Sequence, residues 1–443
     1  MYNATRLTRG DRRRNEKLRR LRAVVRPELA IVAVDLAAAR QAVVVADHDS
    51  CVLARRMFSL SPWGIDQILD WADVQARAAG FAGLVLTCEP TGHRWKPLLE
   101  RASAQGVGMV CVQPMLVHRA REGEDFTKDR SDFKDATLIA RLTGELRCYP
   151  PIALAEGWAR LRHLGQRRYA VLTQATAARQ TLRDLLECAW PALLETAAAP
   201  FDSLTWQAAA RVALDPERVR RMGPARFERA VARALPKVGG RRRNLRILAA
   251  VMTAAREPGG LLAERAGALE RARFAFDDWQ HARGELCEVE RRMVETLDTL
   301  GLAELVTSVP GLSTVGAAAI LAETADPALF DSPRTWVKHA GLCPRANESG
   351  SFRGKTTVSG RGRPDLRTAA WRAIWGLLPH NPVYAARYRH LTTRARNPLG
   401  DGQARAALAA ALLRQLHVIV TQRVVWDAEI ARGAGKEVAP LAA

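Results

Sequence analysis

The chain has 443 residues, with 67 Lys or Arg against 46 Asp or Glu, and a formal net charge of +21. That surplus favours a polyanionic partner, with nucleic acid as the first candidate and an anionic membrane surface as the second. Charged residues interrupt every apolar run before it reaches about 18 residues, so no membrane span is predicted. The basic N-terminus has no apolar core or small-residue cleavage site behind it, so we expect a soluble, intracellular protein. Seven scattered cysteines without a C-x-x-C pair fit reduced, mostly buried thiols rather than a disulfide framework or a zinc site.

The first segment is a basic arm. Residues 1–28 contain ten Lys or Arg and three Asp or Glu. A charge run of this kind is either disordered or forms a helix that lies on nucleic acid.

A sheet is predicted for residues 29–150. The runs "LAIVAVDL", "QAVVVADHD" and "CVLARRMFSL" have the composition and spacing of three paired strands. A helix beginning at Ser61 or Pro62 follows, then the buried strand "AGLVLTCEP", a helix, the strand "VGMVCVQP" and a helix that begins at Ser131 or Asp132. This order predicts a mixed sheet covered by helices.

The rest of the chain is predicted to be helical, so the fold class is α/β followed by all-α. Residues 151–302 form a helical connecting segment, in which the apolar spacing from Leu262 to Leu300 predicts one long amphipathic helix. That helix belongs either to a coiled coil or to an intramolecular bundle. Residues 303–425 form a third unit, which starts with two helices joined by a Pro-Gly turn and contains a loop rich in Gly, Ser and Arg. Residues 426–443 are a tail.

Four acidic residues of the sheet segment are candidate metal ligands. Asp35 and Glu89 each stand at the end of a predicted strand, so they share one sheet edge if those strands are neighbours. Asp132 and Asp135 lie three residues apart on one helix face. Carboxylates suit Mg²⁺ or Mn²⁺, and two such ions can hold the attacking and leaving oxygens of a phosphodiester. The alternative is that Ser131 or Asp132 only caps the helix and Asp135 is a solvated acid.

These acidic residues lie in motifs that resemble a known family. The stretches "VAVDLAAARQAVVVAD", "CEPTGHRWKPLLERASAQGVGMVCVQP" and "TKDRSDFKDATLIARL" are similar to the acidic motifs of the DEDD transposases of bacterial insertion sequences. The resemblance implies a RuvC-like, RNase H-like domain, a cytoplasmic, nucleoid-associated bacterial protein, and metal ligands at Asp35, Glu89, Asp132 and Asp135. Asp129 is an additional acid, but the spacing of three and the following Ala136 favour Asp132 and Asp135.

The third unit resembles the second domain of the same family. The similar stretches are "VPGLSTVGAAAILAE" and "AGLCPRANESGSFRGKTTVSGRGRPDLRTAAWRAI", and the first also resembles a helix-hairpin-helix. The resemblance implies a serine nucleophile that forms a phosphoserine link to DNA. Ser349 falls at the matching position, Ser359 is the rival and Ser351 a third candidate, although Ser-Gly in such a loop is also an ordinary turn.

Basic residues near these motifs are candidate phosphate contacts, or alternatively a solvated basic surface. They are Lys128, Arg345, Arg353, Lys355, Arg361, Arg363 and Arg367.

The resemblance implies a DNA transposase or recombinase that cuts and rejoins strands with Mg²⁺ (or Mn²⁺). It also implies guidance by a structured RNA and a homo-oligomer, a dimer or tetramer. Two rival functions stay open: a hydrolytic junction nuclease with the same carboxylates and water as the nucleophile, and a non-catalytic RNA- or DNA-binding protein.

Overall fold

The structure is a computed structural model that describes residues 7–59, 61–124, 131–345, 348–349, 352–354 and 356–432. The chain divides into two compact units, Met1–Ala153 and Leu154–Ala443. In the first unit the elements are α1 (Arg9–Val24), β1 (Leu29–Asp35), β2 (Arg40–Ala46), β3 (Val52–Ser59), α2 (Pro62–Ala78), β4 (Gly83–Cys88), α3 (Trp95–Ala104), β5 (Met109–Cys111), α4 (Pro114–Glu124) and α5 (Asp132–Gly144).

The first unit is built on one five-stranded sheet with the order β3-β2-β1-β4-β5. β1 pairs antiparallel with β2 and parallel with β4, and β4 pairs parallel with β5. A meander of three strands extended by two parallel strands, with helices on both faces, is the arrangement of an RNase H-like fold. The predicted mixed sheet is therefore confirmed.

The sheet is buried on both faces because β1 contributes apolar side chains to each. Ala30, Val32 and Val34 belong to the core that α2 and α3 cover, while Leu29, Ile31 and Ala33 belong to the core that α5 covers. Such double burial explains why β1 is a continuous apolar run rather than an alternating one.

The basic arm contains a helix that is part of this unit. Thr8 caps α1, and Leu21 and Val25 are buried in the same core as α5. The side of α1 away from that core carries exposed arginines, among them Arg12, Arg13 and Arg19. The arm is thus anchored to the sheet at its C-terminal end.

The second unit is mostly helical. Its helices are α6 (Glu156–Ala189), α7 (Pro191–Leu194), α8 (Leu204–Val212), α9 (Pro216–Ala234), α10 (Leu245–Arg256), α11 (Arg265–Thr299), α12 (Ala303–Thr307), α13 (Thr314–Thr324), α14 (Pro333–His339), α15 (Pro364–His380), α16 (Pro382–Thr393), α17 (Asp401–Gln422) and α18 (Ala428–Arg432). Its strands are β6 (Pro344–Arg345), β7 (Glu348–Ser349), β8 (Phe352–Arg353) and β9 (Thr357–Val358), and 3₁₀ turns occur at Pro200–Asp202, Leu235–Val238 and Pro327–Leu329.

Two long helices form the axis of this unit. α6 and α11 pack antiparallel, and Arg168 of α6 bonds to Glu290 of α11 at 2.8 Å. The predicted long amphipathic helix is therefore present and packs along α6 of the same chain.

The α6–α11 pair carries a separate hydrophobic core at each end. One core joins the start of α6 and the end of α11 to α12–α17. The other joins the end of α6 and the start of α11 to α7–α10. Among the described residues, α17 is the one helix long and apolar enough to cross a membrane, but 61% of that window is buried in the first core. This is the environment of a core helix.

Candidate active site

Asp35 and Glu89 lie side by side at one edge of the sheet. Asp35 is the last residue of β1 and Glu89 directly follows β4, and the parallel register pairs Val34 with Cys88. The expectation that these strands are neighbours is confirmed. Because side chains alternate along a strand, both carboxylates point to the face that α5 covers.

α5 is fixed against the sheet at several points along its length. Thr143 of α5 shares a buried hydroxyl hydrogen bond of 2.8 Å with Thr87, two residues before Glu89. Ala136 and Ile139 are fully buried against the sheet. The helix therefore lies over β1, with β2 and β4 on either side of it.

The first turn of α5 presents Asp132 and Asp135 beyond the sheet edge. The helix cap is Ser131, whose Oγ accepts a hydrogen bond of 3.3 Å from the Lys134 N–H. Asp132 is exposed and Asp135 is partly buried. Since Ser131 performs the capping, neither aspartate is needed for that task.

A buried amide fixes the backbone that follows Asp35. The Gln41 side chain is fully buried, accepts a bond of 2.8 Å from the Ala37 N–H and donates one of 2.9 Å to the Ala37 carbonyl. The turn beyond the carboxylate is thereby held on β2.

The four carboxylates act on one another electrostatically. Burial raises the pKa of Asp35 to about 6, and the negative charges of Asp135, Asp132 and Glu89 contribute to the rise. Burial also raises the pKa of Glu89, with a further contribution from Asp135. The arrangement therefore concentrates negative charge that a cation would stabilise.

One cation of the protein already lies in this cluster, and the sequence did not indicate it. Arg121 of α4 donates from Nε to Asp135 Oδ1 at 2.8 Å, and both side chains are largely buried. Its charge also opposes the rise in the pKa of Asp35 and of Glu89. The available signal was the apolar spacing of Leu116, Val117 and Ala120, which predicts a helix before α5.

The donor set fits a hard divalent cation in chemistry and charge. All four groups are carboxylates, the ligands that Mg²⁺ and Mn²⁺ prefer. Within the part of the chain that the structure describes, no three acidic, His or Cys side chains converge as a closed cation cage. The carboxylates are gathered around a shared region, and Arg121 pairs with one of them.

The serine region of the second unit consists of two short hairpins. β6 pairs with β9, and β7 pairs with β8, with Ser349 opposite Phe352. The backbone of Ser349 and Arg353 is described, but their side chains are not. Lys128, Asp129, Ser351 and Lys355 lie outside the described residues.

Ser359 and two of the candidate arginines form hydrogen bonds that stabilise the fold of this region. The Ser359 hydroxyl donates to the Gly341 carbonyl at 3.2 Å. Arg363 bonds to the buried Glu323 carboxylate at 2.9 and 3.0 Å. Arg367 donates to two main-chain carbonyls, at 3.1 and 3.2 Å. By contrast, Arg345 and Arg361 are exposed.

The Pro-Gly turn before α13 packs against a neighbouring helix. Gly311 has φ 85°, and a Cβ there would lie 2.5 Å from the Gly376 carbonyl oxygen of α15. Ser313 caps α13, and its Oγ accepts from the Gly316 N–H at 3.0 Å. The described contacts of this turn are therefore those of helix packing.

Comparison with family models identifies the class of protein. A model of DEDD transposases of the IS110 type, described as "Transposase", matches residues 32–191. A second model, described as "Transposase IS116/IS110/IS902 family", matches residues 303–389. A chain with an RNase H-like sheet, an acidic sheet edge and this second domain is an enzyme that catalyses DNA strand transfer.

The chain belongs to the IS110 family of DEDD transposases. No curated protein sequence matches it. Residues 192–302 lie between the two matched ranges.

Proposed function

We propose that this transposase cuts and rejoins DNA strands through four carboxylates and one serine acting on the same phosphodiester. The observation that carries the proposal is the carboxylate cluster around Asp35, whose pKa is raised by burial and by three neighbouring acids. A protein that only bound nucleic acid would have no need to gather negative charge on a strongly basic chain.

The metal-holding residues of this proposal are Asp35, Glu89, Asp132 and Asp135. A bound Mg²⁺ or Mn²⁺ would supply positive charge to the phosphate oxygens and acidify a hydroxyl group. The chain itself positions the ligands, because Gln41 fixes the turn after Asp35 and the Thr87–Thr143 bond fixes α5. Arg121 orients Asp135 and limits the repulsion within the cluster.

We assign the nucleophile to Ser349. Its Oγ forms a bond to phosphorus, the bond from phosphorus to one deoxyribose oxygen breaks, and the serine proton ends on that oxygen. Because one phosphodiester replaces another, the reverse step can join a new strand without an external energy source. Two features support Ser349 over Ser359: the family motif matches there, and the Ser359 hydroxyl is bonded to the Gly341 carbonyl.

The phosphate contacts divide into two groups. Exposed Arg345 and Arg361 are proposed to bind the DNA backbone, together with Lys128, Arg353 and Lys355. Arg363 and Arg367 are proposed to stabilise the fold of the serine region, because their described bonds are to Glu323 and to main-chain carbonyls.

Three further features follow from the family resemblance and are proposals here. They are guidance by a structured RNA, assembly as a dimer or tetramer, and a place in the bacterial cytoplasm at the nucleoid. The net charge of +21 supports binding of RNA in addition to DNA.

Strand cleavage on element-end DNA tests the carboxylate half of the proposal. We expect Mg²⁺-dependent cleavage in the wild type and a loss of at least about a hundredfold in Asp35→Asn, Glu89→Gln and Asp132→Asn, which is the effect of removing a transition-state charge interaction. The matched control is Glu145→Gln at the far end of α5, which should retain cleavage. Equal activity in Asp35→Asn and Glu145→Gln would contradict the assignment.

A further inference from the structure

Residues 204–256, which we call the arginine module, fold as a compact set of short helices. α8, α9 and α10 surround Trp206, Phe227 and Val231, all at most 1% exposed, and pack on the end of α6 and the start of α11. The module lies in the range that neither family model matches. Its role is therefore not given by the family.

The arginine module carries a large share of the charge of the protein. It contains thirteen Lys or Arg and three Asp or Glu, an excess of ten in a chain whose formal net charge is +21. Twelve of the thirteen basic residues are exposed, and Arg211 is partly buried. These charged side chains are therefore exposed to solvent and are not buried within the fold.

Three arginines form a row on α9. Arg226, Arg229 and Arg233 are spaced by three and four residues, so they share one exposed helix face. None has a salt bridge with a carboxylate of the described residues. Like charges at this spacing repel, so an external anion would stabilise the row.

A second group of arginines is held beside α9. Arg241, Arg242 and Arg246 are exposed. The loop that carries them is fixed because Arg243 bonds to Glu228 of α9 at 2.9 Å and the Asn244 N–H donates to Thr205 Oγ1 at 3.0 Å.

The acids of the module are used elsewhere and leave both arginine groups uncompensated. Glu228 binds Arg243, Glu217 lies 3.7 Å from Arg220, and Asp215 caps α9. A preformed basic surface remains.

The chemistry of the surface fits a double-helical backbone. The only aromatic residues of the module, Trp206 and Phe227, are buried, so no ring is available to stack on an unpaired base. Arginine binds phosphate through paired N–H donors. The surface therefore suits the regularly spaced phosphates of a duplex.

We propose that the arginine module binds the phosphate backbone of duplex DNA that flanks the site of strand exchange. Along α6, Leu161 of the first core and Leu182 of the second are 21 residues apart, or about 32 Å at 1.5 Å per residue. That length corresponds to about nine base pairs, close to one helical turn. The module thus extends DNA contact by about one helical turn, and this binding does not depend on Ser349 or on a metal.

The test measures the affinity of the full-length protein for a labelled element-end duplex over a series of salt concentrations. The variant Arg226→Gln/Arg229→Gln/Arg233→Gln keeps helix-forming side chains while removing three charges. We expect the slope of log K against log salt to become shallower by about 0.9 for each phosphate that the variant no longer neutralises, and so by up to about 3. Footprints should also shorten by about one turn at one end.

A control variant removes the same number of charges from α6 and α11, outside the arginine module. Arg183→Gln/Arg291→Gln/Arg292→Gln replaces three exposed arginines that already pair with Glu187 or Glu288. The control should keep the wild-type slope and footprint, and circular dichroism should show both triple variants folded. A second variant, Arg241→Gln/Arg242→Gln/Arg246→Gln, should repeat the effect.

Two results would overturn the proposal. One is a slope and footprint for both module variants equal to those of the control. The other is a module-dependent weakening of binding seen with single-stranded DNA or with double-stranded RNA of the same sequence but not with duplex DNA.

Discussion

Glu323→Gln breaks a buried ion pair beneath the serine region. The Glu323 side chain is 8% exposed and accepts bonds of 2.9 and 3.0 Å from Arg363, whose main-chain N–H donates to the His339 carbonyl at 2.8 Å. Burial lowers the pKa of Arg162, the charge of Arg363 lowers it further, and Glu323 opposes this. One buried carboxylate therefore balances two guanidinium groups, and glutamine removes its charge while keeping its volume.

The cost follows from the burial of the pair. Removing one partner of a buried ion pair destabilises a protein by about 3–5 kcal/mol. Because the Arg363 side chain is 30% exposed, water recovers part of its solvation, and we expect about 2–3 kcal/mol. The loop that Arg363 closes, residues 340–362, should also exchange its amide hydrogens faster.

Urea unfolding of the full chain gives the stability change, and hydrogen exchange followed by mass spectrometry reports on the loop. The control is Glu187→Gln, which removes an exposed partner of Arg183 and should cost at most about 0.5 kcal/mol. If Glu323→Gln has no larger effect than Glu187→Gln and leaves exchange of the loop unchanged, the structural role of the pair is refuted.

Three other perturbations have defined outcomes. Burial lowers the pKa of His339 from 6.5 to about 4, so the unfolded chain takes up a proton at a higher pH than the folded chain does. The folded chain therefore loses up to about 3 kcal/mol of stability as the pH falls from about 6.5 to 4. His339→Gln should flatten that part of the plot of stability against pH. Gly165→Ala places a Cβ closer to the Ala322 Cβ than two carbon atoms can approach, so urea unfolding should show a loss of about 1–3 kcal/mol in the free energy of unfolding. Gly284→Ala adds a Cβ in open space on α11 and should raise that free energy by up to about 1 kcal/mol. Arg121→Gln removes the internal cation of the acidic cluster, so calorimetry should show a lower melting temperature without Mg²⁺ and a larger rise on adding it than in the wild type.

Each of these expectations can fail in a specific way. A His339→Gln profile parallel to the wild type would mean that another group causes the acid sensitivity. Equal stability changes at Gly165 and Gly284 would contradict the close packing of α6 on α13. A Mg²⁺ response of Arg121→Gln no larger than that of the wild type would mean that the guanidinium and the metal do not compete.

The sequence predicted those parts of the fold that depend on local pattern. The continuous apolar runs of β1 and β4 and their terminal acids were sufficient to expect Asp35 and Glu89 at one sheet edge, which the parallel register confirms. The spacing of Asp132 and Asp135 depended only on helix geometry. These features are encoded within a few residues of each other.

Features that depend on distant partners could not be predicted in this way. Arg121 of α4 bonds to Asp135 of the next helix, α5, and Arg363 pairs with Glu323, which lies forty residues earlier in the chain. Helical periodicity in residues 204–256 indicates a buried face but does not say which helix covers it. The separate core of the arginine module therefore became evident only in the folded chain.

The most direct test of the proposed chemistry is to search for a covalent protein–DNA adduct. The wild type is incubated with element-end DNA, its associated RNA and Mg²⁺, and the adduct is located by denaturing gel and peptide mass spectrometry beside Ser349→Ala, Ser359→Ala and Asp132→Ala. The account predicts a phosphoserine link at Ser349 that Ser349→Ala and Asp132→Ala abolish, and that Ser359→Ala retains when folded. Cleavage that persists without an adduct in Ser349→Ala but disappears in Asp132→Ala would identify a hydrolytic nuclease and contradict the serine mechanism.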